Sequence, residues 1–263
     1  MTRRRLNETK AEMEPRILER REEVRRRRRR VWWRGLWTLV VVSVLALAAV
    51  TLLHSSLFSA RHIVVRGALH TTAAQLEFAA GVEHHPPLID VSPGFASAMI
   101  ERLPWVAQAS VVRDWPDTLR ITISERMPVA AVPGAGRTAL VDASGRVLTW
   151  VAAAPSGIVV LESPASAKAP GSFLGPEATP GLRVVSNLPP VLQGRVKAVI
   201  VDPSGSVTLD LGNGVSALLG PPTGLTAKFE SLASVLAGAP PSGPSVIDVT
   251  VPGEPQVGPA PAR

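Results

Sequence analysis

The pattern of apolar and polar positions separates one long apolar run from a series of short periodic segments. Residues 35–53 are almost wholly apolar, and no charged residue occurs between positions 35 and 60. A helix rises about 1.5 Å per residue, so this run would span roughly 28 Å, close to the ~30 Å hydrocarbon core of a bilayer. We therefore predict one transmembrane helix over residues 35–53. Tryptophans that suit the membrane interface lie at its N-terminal border: Trp32, Trp33 and Trp37.

Residues 61–131 predict a compact α+β domain that begins with a strand and a helix. The strand is expected at Ile63–Arg66 and ends at a glycine. The helix is expected over Ala73–Ala80, where Thr72 and Gln75 have the spacing of a capping box. The glycine that follows this helix can close it in a left-handed conformation.

A second helix and a β-hairpin complete this domain. The helix is expected to begin at Ser92 and Pro93, which suit the N-cap and the first turn, and to end at Pro104. Its apolar face is expected to consist of Phe95, Met99 and Leu103. Two strands with alternating apolar residues follow, joined by a turn at residues 115–117. The predicted element order is β-α-α-β-β.

Residues 132–251 predict a second domain that is rich in strands and has one helix. The phrases at 142–145 and 202–205 are near-copies, with Asp first and Gly last, and predict two hairpin turns. Asn213-Gly214 predicts another. Residues 152–179 are interpreted as loop or weak strand. The helix and the last strand are expected at Thr223–Leu236 and Val246–Val251.

The predicted organisation has five segments. They are a basic tail at 1–34, the span at 35–53, the first domain at 61–131, the second domain at 132–251, and a Pro/Gly-rich tail at 252–263.

Charge is concentrated before the apolar run. Residues 1–34 carry a net charge of +8, whereas the remainder of the chain carries −1. Because Lys and Arg next to a span remain in the cytoplasm, we predict a cytoplasmic N-terminus and folded domains outside the membrane. The run Arg25–Arg30 also attracts anionic lipid headgroups. Nucleic acid is not an expected partner, because no aromatic interleaving and no folded reader accompanies this run.

The sequence favours a retained anchor over a cleaved signal peptide. Signal peptides have apolar cores of about 7–15 residues and a small residue at position −3 of the cleavage site. Here the core is longer, and the segment His54–Ala60 places Leu57 or Phe58 at that position. The expected location is the cytoplasmic membrane, crossed once.

No pattern in the sequence points to catalysis. Cysteine is absent, which excludes disulfides, thiolate metal sites and cysteine nucleophiles. No phosphate loop, dinucleotide fingerprint or Gly-x-Ser-x-Gly elbow occurs. The two Asp-Ser-Gly phrases admit a metal or phosphate interpretation, but a hairpin explains them. The histidines lack metal-ligand spacing: His54, His62, His70, His84 and His85. We predict a non-enzyme without cofactor, metal or small-molecule substrate.

The run LPWVAQASVVRDWPDTLRITISERMPVA, Leu103–Ala130, resembles the POTRA domain of the FtsQ/DivIB division proteins. The recurring motif residues are Leu103, Pro104, Trp105, Val106, Trp115, Pro116, Glu125, Arg126 and Pro128. We expect them to be mainly structural, with both tryptophans packed against the two helices and with Glu125 and Arg126 forming a local ion pair. The abundance of Arg, Ala, Gly, Pro and Val indicates a high-GC, actinobacterium-like source.

The resemblance implies a membrane-anchored scaffold of the divisome, enriched at the septum. It implies partners of the FtsB and FtsL type, and further partners of the upstream FtsK and downstream FtsW/FtsI types. In this family a strand of FtsB pairs with a sheet edge that follows an Ile/Val-Asp-Leu-Arg phrase. Here the phrase is Ile247–Thr250, and the edge is expected to continue to Gly258. The implied contact residues are Val249, Thr250, Val251, Gln256, Val257 and Gly258.

Two departures from the family pattern qualify this edge: Thr250 and Val251 stand where an arginine and an aromatic residue are common, and prolines occur nearby. Prolines at 252, 255 and 259 cannot donate to a strand ladder, so the docked strand is expected to be shorter or shifted. Deletion of residues 246–258 is expected to abolish FtsB capture and to leave the chain folded.

The alternative is a POTRA-containing envelope transport or assembly factor. Such proteins have several POTRA units and a C-terminal barrel with aromatic girdles. An anchored envelope enzyme is a third interpretation, but the sequence contains no nucleophile–base pattern.

Overall fold

The computed structural model describes residues 32–134, 136–238 and 243–260, which form a long N-terminal helix and two folded domains. Helix α1, Trp32–Leu53, has 22 residues, is about 33 Å long, and is apolar enough to cross a membrane. It contains the predicted span and begins three residues earlier, at the interfacial tryptophans. Residues 1–31 of the basic tail lie outside the described residues.

The first domain has the predicted order β-α-α-β-β. Its elements are β1 (His62–Arg66), α2 (Ala73–Ala80), α3 (Pro93–Ile100), β2 (Val106–Asp114) and β3 (Thr118–Glu125). The sheet order is β1-β3-β2, with β1 parallel and β2 antiparallel to the central β3. Helices α2 and α3 pack together on this sheet, and the capping box of Thr72 and Gln75 is present. Gly81 ends α2 at a φ of 70°, as predicted.

Helix α3 buries a different face from the predicted one. Ala96 and Ile100 are buried, whereas Phe95 is exposed at the surface. The Ser97 Oγ accepts a hydrogen bond of 3.1 Å from the N–H of Val111 on β2. This bond fixes the rotation of the helix, so that the small Ala96 faces the sheet and the large ring of Phe95 does not.

The second domain is a large mixed sheet covered by helices. Nine strands of the described residues pair in the order β12-β11-β10-β9-β8-β7-β4-β5-β6. They are β4 (Pro128–Pro133), β5 (Thr138–Asp142), β6 (Val147–Val151), β7 (Val159–Glu162), β8 (Ala198–Val201), β9 (Val207–Gly212), β10 (Val215–Gly220), β11 (Ser245–Asp248) and β12 (Gln256–Pro259). The helices are α4 (Thr179–Ser186), α5 (Pro190–Gln193) and α6 (Leu225–Gly238). The α+β fold class is confirmed, and α4 and α5 are additional to the one predicted helix.

The predicted turns are present. In each Asp-Ser-Gly phrase the aspartate Oδ1 accepts hydrogen bonds from two backbone N–H groups, at 2.9 and 2.9 Å for Asp142 and at 2.8 and 3.0 Å for Asp202. Asn213 and Gly214 join β9 to β10 with φ values of 55° and 77°. These aspartates therefore stabilise turns.

Strand β4 begins before the predicted start of the second domain. It pairs with β5 and β7 in the nine-stranded sheet. Residues 128–131, which the sequence assigned to the first domain, thus fold with the second. Two residues, Arg126 and Met127, connect the two sheets.

Candidate functional site

The outermost strand of the large sheet, β12, presents a free edge. It pairs antiparallel with β11, with Val246 opposite Gly258 and Ile247 opposite Val257. In the part of the chain that the structure describes, no strand pairs with its outer side. Three of the six predicted contact residues lie on this strand: Gln256, Val257 and Gly258.

The other three predicted contact residues lie in the turn between β11 and β12. Val249 is fully buried and donates its N–H to the carbonyl of Leu218 at 3.0 Å, so it is a core residue and not a surface contact. Thr250 donates its N–H and its hydroxyl to the Asp248 Oδ1, at 2.9 and 2.7 Å. Val251 is exposed. The predicted strand 246–251 therefore ends at Asp248, and the chain reverses before it forms the edge.

The register decides which backbone groups of β12 face outward. Ser245 donates its N–H to Gly214 on the β10 side, so its neighbour across the ladder, Pro259, points away from β11. Backbone direction alternates along a strand, so Val257 also points outward and Gly258 points inward. Within residues 255–259, all of which the structure describes, only Val257 has an outward N–H, because both prolines lack one. The free edge thus offers several carbonyl acceptors and one donor.

Helix α6 anchors the turn that leads into β12. The side chain of Lys228 is 4% exposed, and its Nζ donates to the carbonyls of Leu219 and Pro221 at 2.7 and 2.9 Å. Burial lowers the pKa of Lys228, and the charge of Asp248 counteracts this. One helical turn later, the Ser231 Oγ accepts a hydrogen bond of 3.0 Å from the N–H of Gly253. Lys228 thus holds the end of β10, and Ser231 holds the turn that precedes β12.

A groove lies on the sheet face beside this edge. It has a volume of about 580 Å³ and is formed by residues of β8 to β11 and by the residue after β12. Its lining residues are Ile200, Asp210, Gly212, Asn213, Gly214, Val215, Ser216, Pro244, Val246 and Ala260. A strand added to β12 would place alternate side chains on this face.

The motif residue Glu125 joins distant parts of the first domain. Its carboxylate accepts hydrogen bonds of 2.9–3.0 Å from the N–H groups of Leu69, His70 and Thr71, and lies 2.8 Å from the His70 ring. Burial alone would raise the pKa of Glu125, but the hydrogen bonds from the ring and backbone lower it from 4.5 to about 2. The expected ion pair with Arg126 is wrong, because this carboxylate is occupied by the 69–71 loop.

Arg126 instead joins the two domains. Its Nη1 lies 2.8 Å from the Asp142 Oδ2, and its Nε donates to the carbonyl of Val106 at 3.0 Å. Burial raises the pKa of Asp142, but hydrogen bonds from Ser144 and Arg126 outweigh this and lower it. Arg146 of the second domain donates to the carbonyl of Arg102 at 2.7 Å. The remaining motif residues Leu103, Pro104, Val106 and Pro128 lie around this junction.

The two motif tryptophans are not packed against the helices as predicted. Trp105 stacks on the His70 ring, with centroids 4.0 Å apart and an interplanar angle of 5°. Trp115, beside Pro116 at the tip of the β2–β3 hairpin, is 47% exposed and touches Phe58 edge-on with centroids 5.9 Å apart. Both rings pack on segments that precede the helices in the chain, which local patterning does not reveal.

The turn before β12 had a signal in the sequence. Asp248-Val249-Thr250 repeats the Asp-x-Ser pattern at 142–144 and 202–204, with a hydroxyl two residues after the aspartate. All three aspartates accept bonds from the backbone N–H and hydroxyl of that residue. No comparable sequence pattern marks Lys228 and Ser231, because both occur at ordinary positions of a predicted helix.

Two family descriptions match the chain, one for each domain. Residues 58–126 match the POTRA domain, FtsQ-type, and residues 130–249 match the C-terminal domain of cell division protein FtsQ/DivIB. Relatives named cell division protein FtsQ include one from Streptomyces collinus, 32% identical over 208 residues, which covers 76% of this chain and 78% of the relative. Another, from Mycobacteroides abscessus, is 32% identical over 207 residues, covering 77% and 65%.

These relatives agree with the expected source, because both come from actinobacteria. A relative of the same name from Rhodothermus marinus is 37% identical over 107 residues, covering 40% of this chain and 39% of that protein. Together with the apolar helix α1, the matches identify a membrane-anchored cell division protein. The chain belongs to the FtsQ/DivIB family of bacterial cell division proteins.

Proposed function

We propose that this chain is a single-pass scaffold of the divisome that binds an FtsB-type protein, together with its FtsL-type companion, at the β12 edge. Its N-terminus is cytoplasmic and its two folded domains lie outside the membrane, enriched at the septum. The first domain contacts upstream FtsK-type proteins, and downstream FtsW/FtsI-type proteins complete the set of partners. Among the residues that the structure describes, no strand pairs with the outer edge of β12, and this observation carries the proposal.

The charge of the N-terminal segment supports the orientation. Residues 1–34 carry a net charge of +8 against −1 for the rest, and basic residues next to a span stay in the cytoplasm. The whole folded mass after α1 is therefore exported. A partner that is anchored in the same bilayer meets it at a raised effective concentration, so a modest affinity is sufficient.

The mechanism is addition of a strand to the sheet. An extended partner segment gains affinity from main-chain hydrogen bonds, and its side chains confer specificity. Here N–H groups of the partner donate hydrogen bonds to the carbonyls of Pro255, Val257 and Pro259. One carbonyl of the partner accepts a hydrogen bond from the N–H of Val257. The half-exposed Val257 side chain and the groove beside β11 then contact alternate partner side chains.

The deletion of 246–258 that the sequence suggested is unsuitable as a test. Ile247 and Val249 are fully buried, so the deletion removes part of the core and would unfold the domain. A point variant that alters only the outward edge is required.

Val257→Pro is that variant, because it removes the outward N–H and leaves the β11–β12 bonds in place. Val257→Ala is the matched control, since it shortens the same side chain and keeps the N–H. The full chain, in membranes, is used to capture the FtsB-type and FtsL-type proteins of the same organism. We expect several-fold weaker capture by Val257→Pro than by Val257→Ala. Equal capture by both would contradict strand addition at this edge.

A further inference from the structure

The tip of the β2–β3 hairpin carries an exposed aromatic residue close to the end of the membrane helix. Trp115 is 47% exposed, and its ring touches Phe58, which follows the last residue of α1 by five positions. Leu57, beside Phe58, is 62% exposed. A hairpin that is distant in sequence is thus held next to the point where the chain leaves α1.

The connection between α1 and this hairpin is short and well bonded. The N–H groups of His54 and Ser55 donate to the carbonyls of Val50 and Leu52 at 3.1 and 3.0 Å, and after the extended Ser55 a single 3₁₀ turn follows at Ser56–Phe58. At 1.5–2.0 Å per helical residue and about 3.3 Å for the extended Ser55, Phe58 lies at most about 11 Å beyond the end of α1. The carbonyl of Phe58 accepts a bond of 2.7 Å from the N–H of Leu88, which ties this turn to the domain.

This distance brings the hairpin tip close to the membrane interface. The polar layer on each side of the hydrocarbon core is about 5–8 Å thick. Trp115 therefore lies within reach of the lipid headgroups, where tryptophan is enriched in membrane proteins. The two ends of α1 differ in this respect, because three tryptophans border its N-terminal end whereas residues 38–57 contain no aromatic residue.

The charges at the tip do not oppose such a contact. Asp114 is paired with Arg120, and Asp117 lies 3.6 Å from the Nε2 of His62. Arg120 thus neutralises one carboxylate of the hairpin turn, and the His62 ring lies beside the other. An uncharged phosphatidylcholine surface is therefore sufficient, and anionic lipid is not required.

We propose that Trp115, Phe58 and Leu57 form a second membrane contact, which rests the first domain on the bilayer that α1 spans. Lipid contact thus extends from α1 to the first folded domain. It limits tilting of the domain about residues 54–55 and so fixes its height and rotation above the membrane. This inference depends on the anchor alone and not on any protein partner.

The test uses two single-tryptophan versions of the full chain, reconstituted in phosphatidylcholine vesicles. One keeps Trp115 and the other keeps Trp150, a partly buried residue of β6 next to Arg137; phenylalanine replaces the remaining tryptophans. Phosphatidylcholine brominated on its acyl chains near the headgroup quenches nearby tryptophans. We expect brominated vesicles to remove most of the Trp115 emission and to leave the Trp150 emission unchanged. Equal emission of Trp115 in brominated and ordinary vesicles would overturn the proposal and leave the ring free for a protein partner.

A second measurement keeps all native tryptophans and guards against a misfolded variant. The chain has no cysteine, so Leu57→Cys and Val191→Cys each give one labelling site, and both native side chains are exposed. A polarity-sensitive dye at position 57 is expected to shift to the blue in vesicles relative to the same dye at position 191. Emission typical of water at both positions would contradict the membrane contact.

Discussion

At the scale of single residues, Glu125 shows how a family motif residue stabilises the first domain. Its carboxylate receives three backbone N–H groups of the 69–71 loop and the ring nitrogen of His70. Trp105 stacks on the same ring. One buried carboxylate thus connects the end of β3 to the loop before α2, and the stacked tryptophan covers the His70 ring.

We expect Glu125→Gln to lower the free energy of unfolding of the full chain in detergent by about 1.5–3 kcal/mol, the range for hydrogen bonds to a charged group. The pKa of Glu125 is about 2 in the folded chain, against 4.5 in the unfolded chain. Its contribution to the free energy of unfolding is therefore complete above pH 4.5 and declines as the pH falls toward 2. Urea unfolding followed by tryptophan fluorescence at pH 7 and at pH 3 measures both effects. The exposed Glu162→Gln is the control and should leave stability within about 0.5 kcal/mol. A Glu125→Gln variant as stable as this control would contradict the assignment.

Lys228 is a second residue whose role depends on burial. Replacing it with Met leaves the carbonyls of Leu219 and Pro221 without their donor. We expect a loss of about 1–3 kcal/mol in unfolding free energy and faster amide hydrogen exchange at the end of β10 and in its neighbour β11. Lys168→Met, at an exposed position, is the control. Unchanged exchange at the end of β10 would contradict this role of Lys228.

At the scale of elements, β12 combines exposure with a restricted set of hydrogen-bonding groups. Edge strands often carry proline, which blocks further pairing because it has no N–H. Here proline occupies position 259, which faces outward, while the N–H of Gly258 pairs inward with β11. The edge thus resists indiscriminate pairing and still accepts donors from a partner strand.

Restoring a donor at this edge is expected to strengthen binding. Pro259→Ala adds an outward N–H, which is worth about 1 kcal/mol or roughly a five-fold lower Kd for the FtsB-type partner. Pro252→Ala, in the preceding turn, is the control and should not change the Kd. Isothermal titration or a quantitative capture assay with full-length proteins measures the difference. Equal affinities of Pro259→Ala and the native chain would contradict the outward orientation deduced for the backbone of residue 259.

The elements that the sequence predicted well are those with local signals. The capping box of Thr72 and Gln75 and the Asn213-Gly214 hairpin are encoded within a few residues, and both are present. Helix α4 was missed because Pro180 and Gly181 look like breakers. A Cβ on Gly181 would lie 2.3 Å from a Leu161 carbon, so glycine is what lets this helix lie on the sheet.

At the scale of the whole molecule, the domains are joined by contacts that sequence patterns cannot reveal. The Arg126–Asp142 pair and the bond from Arg146 to the Arg102 carbonyl link residues 16 and 44 positions apart. Within the second domain, the bond between Ser231 and Gly253 spans 22 positions. Of these residues, the POTRA motif singled out only Arg126, and the fold shows that its partner is Asp142.

Topology is tested by single cysteines in the cysteine-free chain. Lys168→Cys in the second domain is expected to react with a membrane-impermeant maleimide in intact cells without an outer membrane. Thr9→Cys in the basic tail is expected to react only after the membrane is permeabilised. The reverse pattern would contradict the cytoplasmic position of the N-terminus.

A fluorescent fusion at the N-terminus should concentrate at the septum, and a uniform envelope signal would contradict a division role.

Strand addition at β12 is tested most directly by disulfide mapping between the chain and its FtsB-type partner in cell membranes. A strand added to β12 brings Cα atoms of facing residues to about 4.5–5.5 Å, within the range for disulfides. Val257→Cys, combined with a cysteine scan of the partner, is expected to cross-link at one partner position and more weakly two positions away. Phe95→Cys, an exposed site on α3, is the control and should give no cross-link. Absence of cross-links at Val257 together with strong cross-links at Phe95 would contradict the account.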